Sequence, residues 1–410
     1  TMGAGIAADL LSKTDYDVIL VDVQTEALER AKQRLVASNV QRVKESRLRE
    51  EDARAIERRV SYTTSYDELK RADVIWEAAT ERCEIKAKIF EAVERIVDAE
   101  TVTAVFSNTS SHTTEELANL FRLEAFREKF LTVHGYFPFE ANRLMDVMKG
   151  KYASKDTFAF GVVFADQIME KTVIALPVDH HGYVTDPIFQ AMAAIVSWDV
   201  ASSRDLIEKG GIWELFTANP FTVLDQTGHM AYTESSRHFG EALPESDRLR
   251  GLYRRGDRRY PDWIARLERE GLTGANSPTR RGFYAWTDGK NRPTAVLDPQ
   301  SGEYVTIEEM SRKEYGSFYE AGERDRRAGK VKSAESILHV ACAEDAAGRA
   351  FRRYVLPVCL YALDLIQDRL ATPGQINIAT RAGLRFKVGL IEAVDALIAE
   401  LTIDGLIALV

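Results

Sequence analysis

Five short apolar runs, separated by stretches of helical spacing, constrain this chain more than any other feature. They are DVILVD (17–22), ADVIWEA (72–78), TVTAVFSN (101–108), KFLTVHGY (129–136) and KTVIALPV (171–178). Near-continuous apolar runs of this length become strands whose two faces are both covered, and the helices between them supply the cover. The pattern predicts a doubly wound α/β domain on a parallel sheet, with helices over about 2–12, 25–57, 84–99, 113–122 and 155–170.

From about residue 180 the strand signals thin out. IFQAMAAIVSWDVASSRDLIEKG and PDWIARLEREG read as helices, and 283–305 carries the turn dipeptides and polar residues of a linker with a short hairpin. The expected division is an α/β domain over 1–177, a helical domain over 178–288, a linker over 289–333 and a second helical repeat over 334–410. Two stretches in the helical part share a pattern. GGIWELFTANPFTVLDQTG (210–228) and ATRAGLRFKVGLIEAVDAL (379–397) each run from a glycine through an aromatic and an apolar stretch to Asp225 or Asp395.

Composition narrows the function classes. The 410 residues are 45% apolar and 29% charged, as in ordinary soluble proteins. No apolar run reaches the ~18 residues of a membrane span, and the opening TMGAGIAADLL lacks the marks of a signal peptide, so a cytoplasmic protein with no membrane partner is expected. A net charge of −9 argues against a nucleic-acid-binding surface over the whole chain. The pairs Arg254-Arg255 and Arg258-Arg259 read as a solvated helical face, with a site for a phosphate-bearing ligand as the alternative. Cys83, Cys342 and Cys359 are odd in number and form no CxxC, so they read as small buried or half-buried side chains rather than disulfides or a zinc site; no metal is expected.

At the N-terminus, Gly3 stands where the third glycine of a GxGxxG dinucleotide fingerprint would let a helix pack closely on the sheet. The strand and the first two glycines of such a fingerprint would precede Thr1. Asp22 ends the first apolar run, nineteen residues after Gly3. A carboxylate there accepts hydrogen bonds from the adenosine ribose and repels a 2′-phosphate, which favours NAD over NADP. The alternative is an aspartate that merely caps the next helix.

Three further stretches follow in order: WEAATERCEIK (76–86), SNTSS (107–111) and HGYFPFEANRLMDVMKG (134–150). Together with TMGAGIA they resemble the 3-hydroxyacyl-CoA dehydrogenase family. HHGYVTDPI (180–188), NPFTVLDQTG (219–228) and TRRGFYAW (279–286) are similar to that family's helical domain, and the repeated last block resembles its long members. The resemblance implies a Rossmann-type domain followed by helical C-terminal domains, NAD as cofactor, a 3-hydroxyacyl-CoA as substrate, a homodimer and a place in fatty-acid β-oxidation.

It also implies residue roles. His134 corresponds to the base that takes the substrate hydroxyl proton, a task suited to an imidazole because its unperturbed pKa of ~6.5 lies near working pH. Asp146, twelve residues on, stands where the family has a glutamate that orients the ring and stabilises the imidazolium. Ser110 corresponds to the serine at the substrate hydroxyl, with a helix N-cap as the local alternative. Glu81 and Lys86 fall on a cofactor-side acid and lysine, and Asn108 on the carboxyl end of a strand, where open α/β sheets bind ligands. Two positions depart from the family pattern. HGYFP in place of HFFNP puts Phe137 where an asparagine would be, and GYVTDP in place of GFxxNR does the same with Asp186. Two amide donors near the substrate thus become a phenyl ring and a carboxylate, which accepts but does not donate. Two other readings stay open on this account: a dehydrogenase of a free 3-hydroxy acid, and a degenerate relative that binds without turnover.

Overall fold

The structure, a computed structural model, describes residues 2–253, 260–287, 293–307 and 334–408. The chain forms two compact units, Thr1–Tyr183 and Val184–Val410. The arginine pairs at 254–255 and 258–259 lie outside the described residues.

The first unit is a Rossmann-type α/β domain. It begins with α1 (Met2–Lys13), β1 (Val18–Val21), α2 (Thr25–Lys44), α3 (Glu50–Arg58), β2 (Val60–Thr63) and β3 (Val74–Glu77). It continues through α4 (Cys83–Ile96), β4 (Ala104–Ser107), α5 (Thr114–Ala118), α6 (Glu124–Glu128), β5 (Phe130–Gly135), β6 (Leu144–Met148), α7 (Lys155–Val163) and β7 (Thr172–Leu176). Five strands join in the order β3-β4-β5-β6-β7, while β1 and β2 pair parallel with each other in a separate ribbon. The sheet is not parallel throughout, as the apolar runs predict. β6 runs antiparallel to β5, and β7 follows β6.

Strand periodicity explains the two-faced core. Ala104, Phe106, Leu131, Val133, Met145 and Val147 point to one face and pack with Ile6 and Phe164. Val105 and Phe130 point to the other, against Phe90, Val93, Leu117 and Phe121. Every residue of β4, β5 and β6 is buried, so any polar group on them must find its partner inside the protein. α7 lies close on the first face because Gly161 has no side chain: a Cβ there would meet Leu131 Cδ1 at 2.5 Å. α5 opens with a capping box in which Thr113 Oγ1 accepts from Glu116 N at 3.1 Å and the Glu116 carboxylate accepts from Thr113 N at 3.0 Å. Asp179 accepts from the amides of Thr114 and Glu115 at 2.9 and 2.6 Å and pins the same helix start.

The second unit is mostly helical, from α8 (Thr185–Ser197) and α9 (Ser203–Glu214) through α10 (Pro220–Thr227), α11 (His229–Ala242), α12 (Arg248–Tyr253) and α13 (Asp262–Arg269) to a last helix at Leu390–Ala408. The segment read as a hairpin-bearing linker forms an antiparallel meander of β8 (Tyr284–Trp286), β9 (Pro293–Leu297) and β10 (Tyr304–Thr306), with Val296 and Leu297 fully buried. Its remainder, 308–333, lies outside the described residues. Among the described residues no helix is long and apolar enough to cross a membrane. Cys83 and Cys342 are exposed free thiols, against the expectation of burial, and Cys359 is buried.

The two stretches of shared pattern part company at their aspartates. Asp395 is exposed on its helix, whereas Asp225 is 0% exposed and collects the amides of Phe283 (2.8 Å) and Tyr284 (2.9 Å), the Trp286 indole (2.8 Å) and His229 Nε2 (2.7 Å). This one carboxylate ties α10 to α11 and to the start of the meander. Removing it by Asp225→Ala leaves several buried donors unmatched, a loss on the order of 3–5 kcal/mol. The midpoint of thermal unfolding, followed by circular dichroism, should fall by roughly 10 °C, and by less in Asp225→Asn.

Candidate active site

The carboxyl ends of β3, β4 and β5 bring together Glu77, Ser107 and His134, the edge at which open α/β sheets bind ligands. The antiparallel register sets His134 directly opposite Asp146. Opposed residues share a face, and both lie on the face away from Met145 and Val147. His134 is 5% exposed and Asp146 0%. Nδ1 of the imidazole stands 3.9 Å from Asp146 Oδ2, the range of an ion pair rather than a hydrogen bond. Tyr136, two residues along the same strand direction, donates its phenol proton to the same Oδ2. Its ring meets the imidazole edge-on at 4.5 Å, and the Tyr183 ring lies 5.2 Å away on another side. Gly135 is held by Asn108 Oδ1, which accepts its amide at 3.0 Å, so Asn108 fastens the end of β4 to the residue beside His134.

A second cluster supports the turn that carries Ser110. Lys86, 1% exposed on α4, places its ammonium 3.0 and 2.9 Å from the two oxygens of Glu77 and 3.6 Å from Glu81. Ser107 Oγ donates to Glu77 at 2.5 Å. Glu81 then accepts from Thr109 Oγ1 at 2.6 Å and from both the amide (2.6 Å) and the hydroxyl (2.9 Å) of Ser110, while its carbonyl oxygen lies 2.8 Å from His112 Nε2. The sequence marks Glu81 and Lys86 as a pair facing a cofactor. In the structure Lys86 is sealed inside the protein as the counter-ion of Glu77 and Glu81. Glu77 went unmarked, although an acid ending a strand nine residues before a lysine is a recognisable signal.

The remaining candidates are spread out. Asp22 follows β1 half-buried, with Oδ1 accepting from Gln24 N at 2.9 Å, which leaves its second oxygen for a ribose hydroxyl. A carboxylate oxygen that accepts from a ribose hydroxyl fits an NAD adenosine end. Gly3 is not the tight point of the N-terminal helix: a Cβ there would make ordinary contact with Ala78 at 3.7 Å, whereas one on Gly5 would come within 3.2 Å of Phe139. Phe137 is 45% exposed. Asp186 belongs to the second unit, in the first turn of α8, where a negative charge suits the helix dipole.

Comparison with known proteins bears on the family and the fold. Residues 1–179 match the family model described as 3-hydroxyacyl-CoA dehydrogenase, NAD binding domain. Among solved structures, the chain is similar to 3-hydroxybutyryl-CoA dehydrogenase from Escherichia coli K12 at 18% identity and TM-score 0.62, covering 97% of this chain and 92% of that one. It is also similar to (S)-3-hydroxybutyryl-CoA dehydrogenase PaaH1 from Ralstonia eutropha at 23% identity and TM-score 0.55, covering 70% and 96%. M. tuberculosis FadB2 follows at 20% identity and TM-score 0.56, covering 70% and 95%. Likeness at this level of identity is likeness of fold.

The Glu81 cluster has a pH signature. Burial opposes the charged carboxylate, but the charge of Lys86, the donors Thr109 and Ser110 and the nearby His112 ring outweigh it and hold the Glu81 acid constant below its ordinary 4.5. A carboxylate depressed by folding contributes stability above its unfolded value and loses it as pH falls through the folded one. Urea midpoints of wild type and Glu81→Gln should therefore differ most near neutral pH and converge below about pH 4.5. A gap that stays constant on acidification would contradict this account.

Proposed function

We propose, from the match of residues 1–179 to the NAD-binding domain model of the 3-hydroxyacyl-CoA dehydrogenases, that this chain oxidises an L-3-hydroxyacyl-CoA to the 3-ketoacyl-CoA or runs the reverse reduction. The observation that carries the reading is the cross-strand pairing of His134 with Asp146 at the ligand-binding edge of the sheet. NAD, held at its ribose by Asp22, would supply the hydride acceptor for C3 of the substrate.

The chain's own groups handle the proton. His134 takes it from the hydroxyl, and Asp146, on the Nδ1 side, stabilises the imidazolium. Ser110, fixed through its amide and hydroxyl by Glu81, stands as the contact to the reacting oxygen. Asp22 takes the ribose and disfavours a 2′-phosphate. Phe137 and Asp186, which stand where the family pattern has asparagines, bring no amide donor to a thioester carbonyl. That chemistry favours a second substrate class, a free 3-hydroxy acid, as the rival. Assembly as a homodimer, a cytoplasmic location and service in β-oxidation belong to the same reading.

NADH absorbance with acetoacetyl-CoA, and in parallel with free 3-oxo acids, tests it. Turnover with the thioester and a drop of about 10²- to 10⁴-fold in His134→Gln, with NAD affinity unchanged by calorimetry, are the expected results. Turnover confined to free acids would transfer the assignment to the rival substrate. Absence of turnover with every substrate would overturn the dehydrogenase reading.

A further inference from the structure

Asp146 serves two neighbours. Its Oδ2 faces His134 Nδ1 at 3.9 Å and also accepts the Tyr136 phenol proton, while Oδ1 accepts no hydrogen bond from any described residue. All three side chains are buried, at 5%, 0% and 9% exposure for His134, Asp146 and Tyr136. In the family motif HFFNP the position of Tyr136 is a phenylalanine, and the acid is a methylene longer than Asp146. This chain therefore combines a shorter carboxylate with a hydroxyl that reaches it.

We propose that Tyr136 is a positioning residue for the reaction: its hydroxyl pins Asp146 Oδ2, holds the carboxylate off direct contact with His134, and so sets how strongly the imidazole keeps a proton. A hydrogen bond to one carboxylate oxygen draws charge toward the donor and weakens what that oxygen offers a second partner. The effect is to loosen the grip of the shorter acid on the imidazolium. The inference rests on the reading of His134 as the base, and it deepens that reading.

Other groups on the elements packed around the imidazole have partners of their own among the described residues. Tyr183, at 5.2 Å, donates its hydroxyl to the Thr109 carbonyl. β4 (Ala104–Ser107) carries no acidic or basic residue. On α5, Thr114 bonds Thr132, Glu115 pairs with Lys151, and Glu116 lies between His112 and His181. α7 packs on the opposite face of β5 through Gly161.

The test is Tyr136→Phe, read in two ways. The acidic limb of the kcat/KM–pH profile should move up by about half to one pH unit, because Asp146 then gives its full charge to the imidazolium. Nuclear magnetic resonance titration of the His134 ring, assigned by its loss in His134→Gln, should move by the same amount in the same direction. The titration needs no turnover, so it decides the role of Tyr136 even if the substrate is misassigned. Site-specific incorporation of 3-fluorotyrosine at 136, a stronger donor that keeps the shape, should shift the titration downward, and it serves if Tyr136→Phe does not fold. A His134 titration that moves in neither variant overturns the proposal, as does a shift of the opposite sign.

Discussion

The pairing of β5 with β6 is the constraint on which the rest of the site depends. Side chains alternate along a strand, so a slip of one residue would carry Asp146 to the face of Met145 and Val147 and leave an unpartnered carboxylate in the apolar core. The packed residues on that face make such a slip prohibitive. Register is thus enforced by hydrophobic burial, and the acid–imidazole pair is a by-product of where Met145 and Val147 must go.

The Glu77–Lys86–Glu81 cluster does a different job. Taking three charges out of water is unfavourable unless they neutralise one another and their remaining lone pairs are met. Here the ammonium lies between two carboxylates, and hydroxyls and amides of the 107–110 turn satisfy the rest. An arrangement of that kind adds little net stability but has one geometry. Ser110 inherits that geometry, although it sits in a turn rather than on a strand.

The sheet was legible from sequence wherever an apolar run exceeded the strand it encodes, as in KFLTVHGY around β5 and TVTAVFSN around β4. β2 and β6 were not. VSYT is four residues long and half polar, and LMDVM reads as the tail of a motif because an aspartate interrupts it. Missing β6 hid the reversal of direction after β5, and with it the reason Asp146 meets His134 at all. His134, Asp146, Ser110 and Glu81 were legible as a set because their spacing follows a known pattern. Tyr136 was not, because nothing in a linear chain shows which oxygen a phenol will find, and Glu77 was passed over although its place at a strand end before Lys86 could have marked it. The turn residues of 283–305 read as a linker with a short hairpin; the hairpin is there, extended to a meander in which Val296 and Leu297 are core positions.

One glycine shows how this matters when chains are compared column by column. A Cβ on Gly135 would lie 2.2 Å from the ring of Phe139, so the space a side chain at 135 would take is already filled from four residues downstream. An alignment with HFFNP scores the loss of an aromatic beside the histidine. Measured by volume, an aromatic is still there, supplied by another column. Restoring phenylalanine at 135 alone would set two rings in one space on the Met145 face of the sheet, so this column of the motif reports packing behind β5 rather than a change on the face of His134.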